Sequence, residues 1–280
     1  CPYQCTFCSS PSMWTTRWVI RDPDLLLDEM EEAIREYRVT NFDFYDLTFV
    51  INKPWLLKFC QKILERGLNI TWQLPSGTRS EVIDFEVSKL LYESGCRNLT
   101  YSPESGSESV LVRIKKRLKL NPFIESVNSA VRHGLNVKLN IIFGFPGETM
   151  KEVFESYSFI ARMAVAGAHD LNIWGFSPYP GSELFKNMLA DGRLKLNNAY
   201  YDSLRSHCDA SHSRSFSENF SDKELKFFRF FGRCLFYLVS WSYRPVRPFR
   251  VIQNMIRGTH ESRMEEGLSN LFRRTWFYSN

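Results

Sequence analysis

Cys1-Pro2-Tyr3-Gln4-Cys5-Thr6-Phe7-Cys8 places three thiols at C-x3-C-x2-C spacing. Thiolates this close together suit a soft metal centre, and three of them on a four-iron cluster leave one iron without a protein ligand, open to a substrate. Zinc is the main rival, but a structural zinc site closes with four tetrahedral ligands, normally delivered as two spaced pairs, and no second pair follows. An unliganded set of buried thiols is the plainer alternative. Cys60, Cys96, Cys208 and Cys234 lie far apart within regular segments, which fits a reducing compartment and small buried hydrophobes.

Strand and helix patterns alternate about five times behind the cysteine loop. Helical periodicity is expected over 24–37, 54–66, 84–94, 107–116, 122–133 and 150–166, and strands over 41–49, 70–74, 98–102, 137–143 and 171–176, with a turn at Pro75-Ser76-Gly77. Repeated βα units imply a parallel sheet with right-handed crossovers, so functional residues should sit just after strand ends. Tyr45-Asp46, Gln73, Ser102 to Glu104, Gly144 to Glu148 and Ser177 to Gly181 fall there. Each run has a structural reading too: Ser107 as a helix cap, Gly-Phe-Pro-Gly-Glu as a turn, the two prolines of Ser177-Pro178-Tyr179-Pro180 as stiffeners, and Arg79 as an ordinary ion pair. His133, His169, His207, His212 and His260 show no metal-ligand spacing.

With 280 residues and a 44% apolar composition, the chain can bury a sizeable core, and no stretch is long and apolar enough to span a bilayer. The net charge of +5 is uneven: from Lys223 onward eleven Lys and Arg stand against four Glu, so that tail alone carries +7. Nine aromatic residues from Phe227 to Phe249 are interleaved with its arginines, a mixture suited to an anionic membrane surface or a lid over a large apolar substrate. The chain opens on cysteine rather than methionine, which reads as a fragment of a cytoplasmic protein without a signal peptide.

The cysteine spacing, with an aromatic residue just before the third thiol, resembles the signature of the radical S-adenosylmethionine (radical SAM) superfamily. The resemblance implies that Cys1, Cys5 and Cys8 ligate a [4Fe-4S] cluster, whose free iron is chelated by SAM and whose electron cleaves SAM to a 5'-deoxyadenosyl radical. Phe7 then packs near the adenine. Pro103-Glu104-Ser105-Gly106-Ser107 is similar to a run of the branch associated with cobalamin-binding domains, which implies SAM contacts from Ser102, Glu104 and Ser105. Ile141 to Thr149 resembles the segment ending the fifth family strand, with Gly144, Pro146 and Gly147 along the adenine, and Phe176 to Ser182 resembles the segment where Ser177 and Pro178 edge it. Asp46, with Thr48, stands where relatives approach the methionyl amino group, although this chain has no Gly-Gly-Glu there.

By that resemblance the fold class is α/β: a partial (β/α)6 barrel over residues 1–195, its first strand truncated, with a mainly helical aromatic and basic extension over 196–280. The implied function is hydrogen abstraction from a hydrophobic, lipid- or tetrapyrrole-like small molecule, leading to methylation, cyclisation or carbon-carbon bond formation. Implied partners are an electron donor such as flavodoxin or ferredoxin, cobalamin held by a missing N-terminal domain, and a peripheral membrane contact through the tail. Two alternatives stand beside it. A non-catalytic iron-sulfur carrier would need a fourth cysteine on the cluster. A nucleic-acid-modifying radical enzyme would use the basic tail for phosphates, but no RNA-binding module is evident and nucleic acid is not favoured.

Overall fold

The computed structural model describes residues 1–207, 209, 213–258 and 265. A short helix α1 (Ser10–Trp14) follows the cysteine loop, and helix and strand then alternate: α2 (Pro23–Tyr37), β1 (Asn41–Asp43), α3 (Lys53–Glu65), β2 (Thr71–Thr78), α4 (Phe85–Glu93) and β3 (Cys96–Glu104). After β3 come α5 (Glu108–Arg113), α6 (Leu120–Arg132), β4 (Asn136–Phe143), α7 (Met150–Ala166), β5 (Asp170–Gly175) and α8 (Glu183–Ala190). The chain continues with α9 (Asn198–Ser203), a 3-10 turn at Leu204–His207, α10 (Asp222–Tyr243) and α11 (Val246–Arg257).

All five strands are parallel and lie in sequence order, β1-β2-β3-β4-β5, the arrangement of a partial barrel built from βα units. Local chemistry sets the helix ends. Pro23 and Pro54 open their helices behind Asp22 and Asn52, whose side chains cap Asp24 and Trp55 N–H. A capping box of Thr149 and Glu152 starts α7, and Gly167, at φ 105°, stops it.

The outward faces of β3, β4 and β5 carry Leu99, Tyr101, Val137, Leu139, Ile141, Leu171 and Ile173, all buried beneath the helices. At the other end of the sheet Phe44, Phe49, Trp55, Phe59 and Trp72 pack edge to face or stacked. β1 stops at Asp43 instead of running to Phe49, and beyond it Phe44, whose N–H still donates to Gln73 O at 3.0 Å, and Phe49 place their rings in this cluster.

β2 is longer than expected and passes through Pro75-Ser76-Gly77 without turning away. Its pairing with β3 slips between Leu74 and Thr78, because proline has no N–H to give the ladder. A Cβ on Gly77 would stand 2.1 Å from Ser102 Oγ, so glycine is required for that approach. α5 ends early, since Lys115 and Arg117 take positive φ of 54° and 51° and cannot continue it.

The basic tail is used differently from its composition. α10 lies along α7 and the β5 edge, and a Cβ on Gly232 would meet Ile173 Cδ1 at 2.5 Å. Arg229, wholly buried, and Arg233 donate to the edge carbonyl of Ile173, which covers an exposed strand edge. Arg244 and Arg247 donate to the carbonyls of Ala164, Val165, Gly167 and Ala168 at the α7 C-terminus, where orphan carbonyls and the helix dipole favour cations.

Candidate cluster and cofactor site

The cysteine loop is pinned over the C-terminal ends of the strands. Thr6 N–H donates to Ile114 O at 3.0 Å, and Thr6 O accepts from Leu184 N–H at 2.9 Å. The Ser9 and Ser12 hydroxyls donate to Pro180 O and Gly181 O at 2.8 and 2.6 Å, tying the loop to the turn after β5. Inside it, Cys8 N–H turns back to Cys5 O at 3.1 Å, and Cys8 Sγ accepts from Ser10 N–H. Cys1, Cys5 and Cys8 are free thiols, each partly exposed.

A cavity of about 290 Å³ opens beside them. Phe7, Cys8 and Ser9 form one side, and Ser102, Glu104, Ile142, Trp174, Phe176 and Ser177 the other. Phe7 leans on Phe145 at 5.6 Å between centroids, and Phe145 on Phe176 at 5.3 Å, so an aromatic wall links the loop to the ends of β4 and β5.

Beneath the loop lies a buried ion pair that the sequence did not suggest. Lys116 Nζ reaches Glu104 Oε1 at 2.7 Å, with both side chains 9% exposed, and stands 6.0 Å from the Phe7 ring centroid. Glu104 is held at φ 69°, an unfavourable conformation for a non-glycine residue, which turns its carboxylate inward. Burial pushes its carboxyl above the usual range, against the pull of Lys116 and Arg79. Burial likewise pushes the Cys5 thiol up, while Lys116 and Arg79 favour the thiolate and Glu104 opposes them.

Arg79 is a clamp rather than a surface residue. Its guanidinium lies 3.6 Å from the Tyr3 ring centroid and donates to Lys116 O and Arg117 O at 3.0 and 3.1 Å, with Glu81 as its carboxylate partner. It thereby fixes both the cysteine loop and the segment carrying Lys116.

The other residues singled out in the sequence divide between cavity and framework. Ser102, Glu104 and Ser177 line the cavity with Phe7 and Cys8. Pro178 is buried and gives its carbonyl to Tyr200 Oη at 2.9 Å. Ser105 faces away, bonding Ser156 Oγ at 3.1 Å under α7. Gly144 (φ 86°) and Gly147 (φ 70°) frame a turn whose N–H groups are taken by Glu148 and Glu218, with Pro146 half-buried between them. Asp46 is exposed on the loop after β1, while Thr48 is buried and its carbonyl accepts from Trp18 Nε1. His207 adds an unexpected cavity wall: its ring stacks on Trp174 at 5.2 Å and 9°, and burial favours its neutral form. Cys208, His212 and His260 lie outside the described residues.

The donor set fits an iron-sulfur cluster better than a single ion. Among the described residues no three His, Cys, Asp or Glu side chains converge as ligands of one metal ion, whereas a four-iron cluster takes each thiolate on a different iron. Cys96 is wholly buried at the far end of β3, about 25 Å along the strand from Glu104. Burial pushes the Cys60 thiol up to about 12. Neither of these two buried thiols lies at the cysteine loop.

Residues 1–160 match the family model described as Radical SAM superfamily. The chain belongs to that superfamily. Radical SAM enzymes use a [4Fe-4S] cluster and SAM, and Cys1, Cys5 and Cys8 lie within the matched residues as free thiols. Among curated proteins, the "uncharacterized methyltransferase" of Pyrococcus horikoshii is 30% identical over 201 residues, covering 71% of this chain and 42% of that protein. The anaerobic magnesium-protoporphyrin IX monomethyl ester cyclase of Rubrivivax gelatinosus is 24% identical over 189 residues, covering 67% of this chain and 33% of that one. This radical SAM chain thus spans less than half the length of these relatives. The fold is shared with the radical SAM methyltransferase TsrM from Kitasatospora setae, at TM-score 0.61 and 17% identity over 68% of this chain and 35% of that structure.

Proposed function

We propose that this radical SAM enzyme abstracts hydrogen from an organic small molecule held inside the barrel, as a step toward methylation, cyclisation or carbon-carbon bond formation. The observation that carries the reading is a loop of three free thiols, one of which, Cys8, lines a cavity walled by Phe7, Ser102, Glu104 and Ser177. When bound, the cluster and SAM supply one-electron cleavage of a sulfonium to a 5'-deoxyadenosyl radical. The chain's own part is to hold, orient and shield.

In this reading Lys116 and Arg79 provide positive charge beside Cys5, which favours an anionic cluster there. Ser102 and Glu104 take the ribose and methionyl groups, and Phe7 with the Ser177-Pro178 backbone takes the adenine. The Gly144-Pro146-Gly147 turn sets the end of β4. Asp46, Ser105, Gly144, Pro146, Gly147 and Pro178 enter as cofactor contacts on the sequence resemblance alone, since none of them lines the cavity. The barrel is assigned to 1–195 and the helical extension to 196–280, with α10 closing the β5 edge.

Cobalamin use is part of the proposal, supported by the TsrM neighbour, whose structure holds cobalamin and a [4Fe-4S] cluster. An external reductant such as flavodoxin or ferredoxin would supply the electron. An apolar part of the substrate is supported by the rings of Phe7, Trp174 and Phe176 around the upper cavity. A cytoplasmic location with peripheral membrane contact is supported by the exposed Val246, Phe249, Ile252 and Ile256 on α11, flanked by Arg250 and Arg257. Among the described residues no helix is long and apolar enough to cross a membrane.

The test is anaerobic reconstitution with iron and sulfide, followed by reductant and SAM. 5'-Deoxyadenosine should form, and Cys5→Ala should lose both the cluster absorbance and the product. No deoxyadenosine from the reconstituted wild type, or equal yield from the variant, overturns the reading.

A further inference from the structure

The lumen of a closed (β/α) barrel is ordinarily filled with Val, Ile and Leu. Here every second residue of the central strands is polar on the inner side: Asn98, Thr100 and Ser102 from β3, Asn136, Lys138 and Asn140 from β4, and Asp170 and Asn172 from β5. All but Ser102 line a cavity of about 670 Å³. It shares Asn140 and Trp174 with the smaller cavity beside the cysteines, so the two adjoin at those side chains. Tyr237 and Trp241 of α10 and Val251 of α11 line it too.

The amides in this lumen are held in fixed rows. Gln73, Asn98 and Asn136 are in register across three strands. Asn136 Nδ2 donates to Asn98 Oδ1 at 3.1 Å, Asn98 Nδ2 to Gln73 Oε1 at 2.8 Å, and Gln73 Nε2 to Asp43 Oδ1 at 2.8 Å. A second row lies nearer the cysteines: Asn172 Nδ2 donates to Asn140 Oδ1 at 3.0 Å, Asn140 Nδ2 to Ser102 Oγ at 3.0 Å, and Trp174 Nε1 to Asn140 Oδ1 at 3.2 Å. Each primary amide has two N–H donors and two carbonyl lone pairs, and the rows use only part of each set. What is left is an array of alternating donors and acceptors whose orientation is fixed before any ligand arrives, so a ligand need not order it. Between the rows Lys138 and Asp170 approach to 3.5 Å, and Tyr237 Oη donates to Asp170 at 2.6 Å, while Arg247 on the same wall donates to Ala168 O and Gly167 O.

We propose that this lumen is a substrate site specific for a flat, uncharged polar group with N–H beside C=O, such as a carboxamide or the edge of a nucleobase-type heterocycle, with the amide rows as its specificity determinants. Trp174, whose ring stacks on His207, borders the cavity beside the upper row. The proposal rests on the radical SAM reading above and narrows its substrate: the part inside the barrel is polar, and any apolar part lies toward the aromatic upper cavity. A wholly hydrocarbon ligand would leave the amides unpaired and desolvated.

The experiment is ligand-observed saturation-transfer NMR on the oxidised, cluster-loaded protein, with uracil and nicotinamide as probes and indene as a flat hydrocarbon of similar size. Uracil or nicotinamide should receive saturation and indene should not. Affinity should fall about tenfold, the loss expected for one or two neutral hydrogen bonds, in Asn98→Leu and in the near-isosteric Asn98→Asp, with folding of both checked by circular dichroism. Saturation of indene alone, of no probe, or of the polar probes equally in wild type and the folded variants overturns the proposal. Deoxyadenosine formation is measured on the same wild-type preparation. If it forms while no polar probe binds, only the substrate proposal fails; if the probes bind while none forms, only the radical SAM reading fails.

Discussion

Glu148, in the turn after β4, should make the protein less stable as pH rises through neutrality. Its side chain is wholly buried; Oε2 accepts from Gly144 N–H at 2.6 Å and Phe145 N–H at 3.2 Å, while Oε1 has no hydrogen-bond partner. Burial pushes the carboxyl from the ordinary 4.5 to about 7, against the two backbone donors. The folded chain therefore keeps a proton that the unfolded chain has lost between those two values. At about 1.4 kcal/mol per pH unit, the favourable contribution present below pH 4.5 is lost by the time pH exceeds 7, a change of about 3 kcal/mol. Glu148→Gln cannot titrate, so the comparison isolates this group. Denaturant unfolding of both proteins from pH 4 to pH 8 should show the stability difference moving toward the variant by about that amount. Glu152 works in the opposite sense: burial pushes it up, but Arg113, Ser109 and Thr149 N–H hold it down to about 2, and its contribution is present in both proteins and cancels. Parallel stability curves for wild type and Glu148→Gln would refute the argument.

Three further outcomes follow from other sites. Lys116→Met strands the Glu104 carboxylate and should cost about 3–5 kcal/mol in denaturant unfolding, most of it recovered in Lys116→Met/Glu104→Gln. Gly106→Ala should cost about 1–3 kcal/mol, because its Cβ would stand 2.3 Å from Phe159 Cβ and 2.8 Å from Ser156 Cα; Gly147→Ala, with open space around it, should cost about 1 kcal/mol from its φ of 70° alone, and thermal unfolding should rank them in that order. Arg247→Ala loses hydrogen bonds to Ala168 O, Gly167 O and Ser240 Oγ, and should cost about 2 kcal/mol while making α10 and α11 more accessible to limited proteolysis.

The helices were legible because their signals are local: the periodicity over 150–166 coincides with α7, which Thr149 caps and Gly167 stops. The cysteine loop was legible for the same reason. Lys116 was not, because in Ile114-Lys115-Lys116-Arg117 it reads as one more solvated cation. Only the positive φ values around it and the Arg79 clamp turn it inward. Composition misled most in the tail. A +7 segment rich in aromatic residues suggests a charged surface, yet Arg229, Arg233, Arg244 and Arg247 serve backbone carbonyls left open by a strand edge and a helix end. Which carbonyls go unpaired is decided by tertiary structure, so charge counts alone do not distinguish an arginine that meets a partner from one that completes a fold.

The lumen shows where a weaker signal was present and outweighed. Val137 to Phe143 reads as a buried strand from its Val, Leu and Ile content, and its outward residues are indeed in the core. Asn136, Lys138 and Asn140 alternate with them at period two, as do Asn98, Thr100 and Ser102 on β3, and Asp170, Asn172 and Trp174 on β5. One such alternation marks a strand with a wet face. Three adjacent ones, in a sheet whose outer face is covered by helices, place that wet face inside the barrel. A polar interior costs stability unless its groups are paired, and the in-register amides pair one another across β2, β3, β4 and β5. The pattern that gives up an apolar barrel core is therefore the one that supplies ordered polar groups below the cluster, and changing Asn98 tests that arrangement at the lower row, away from the thiols.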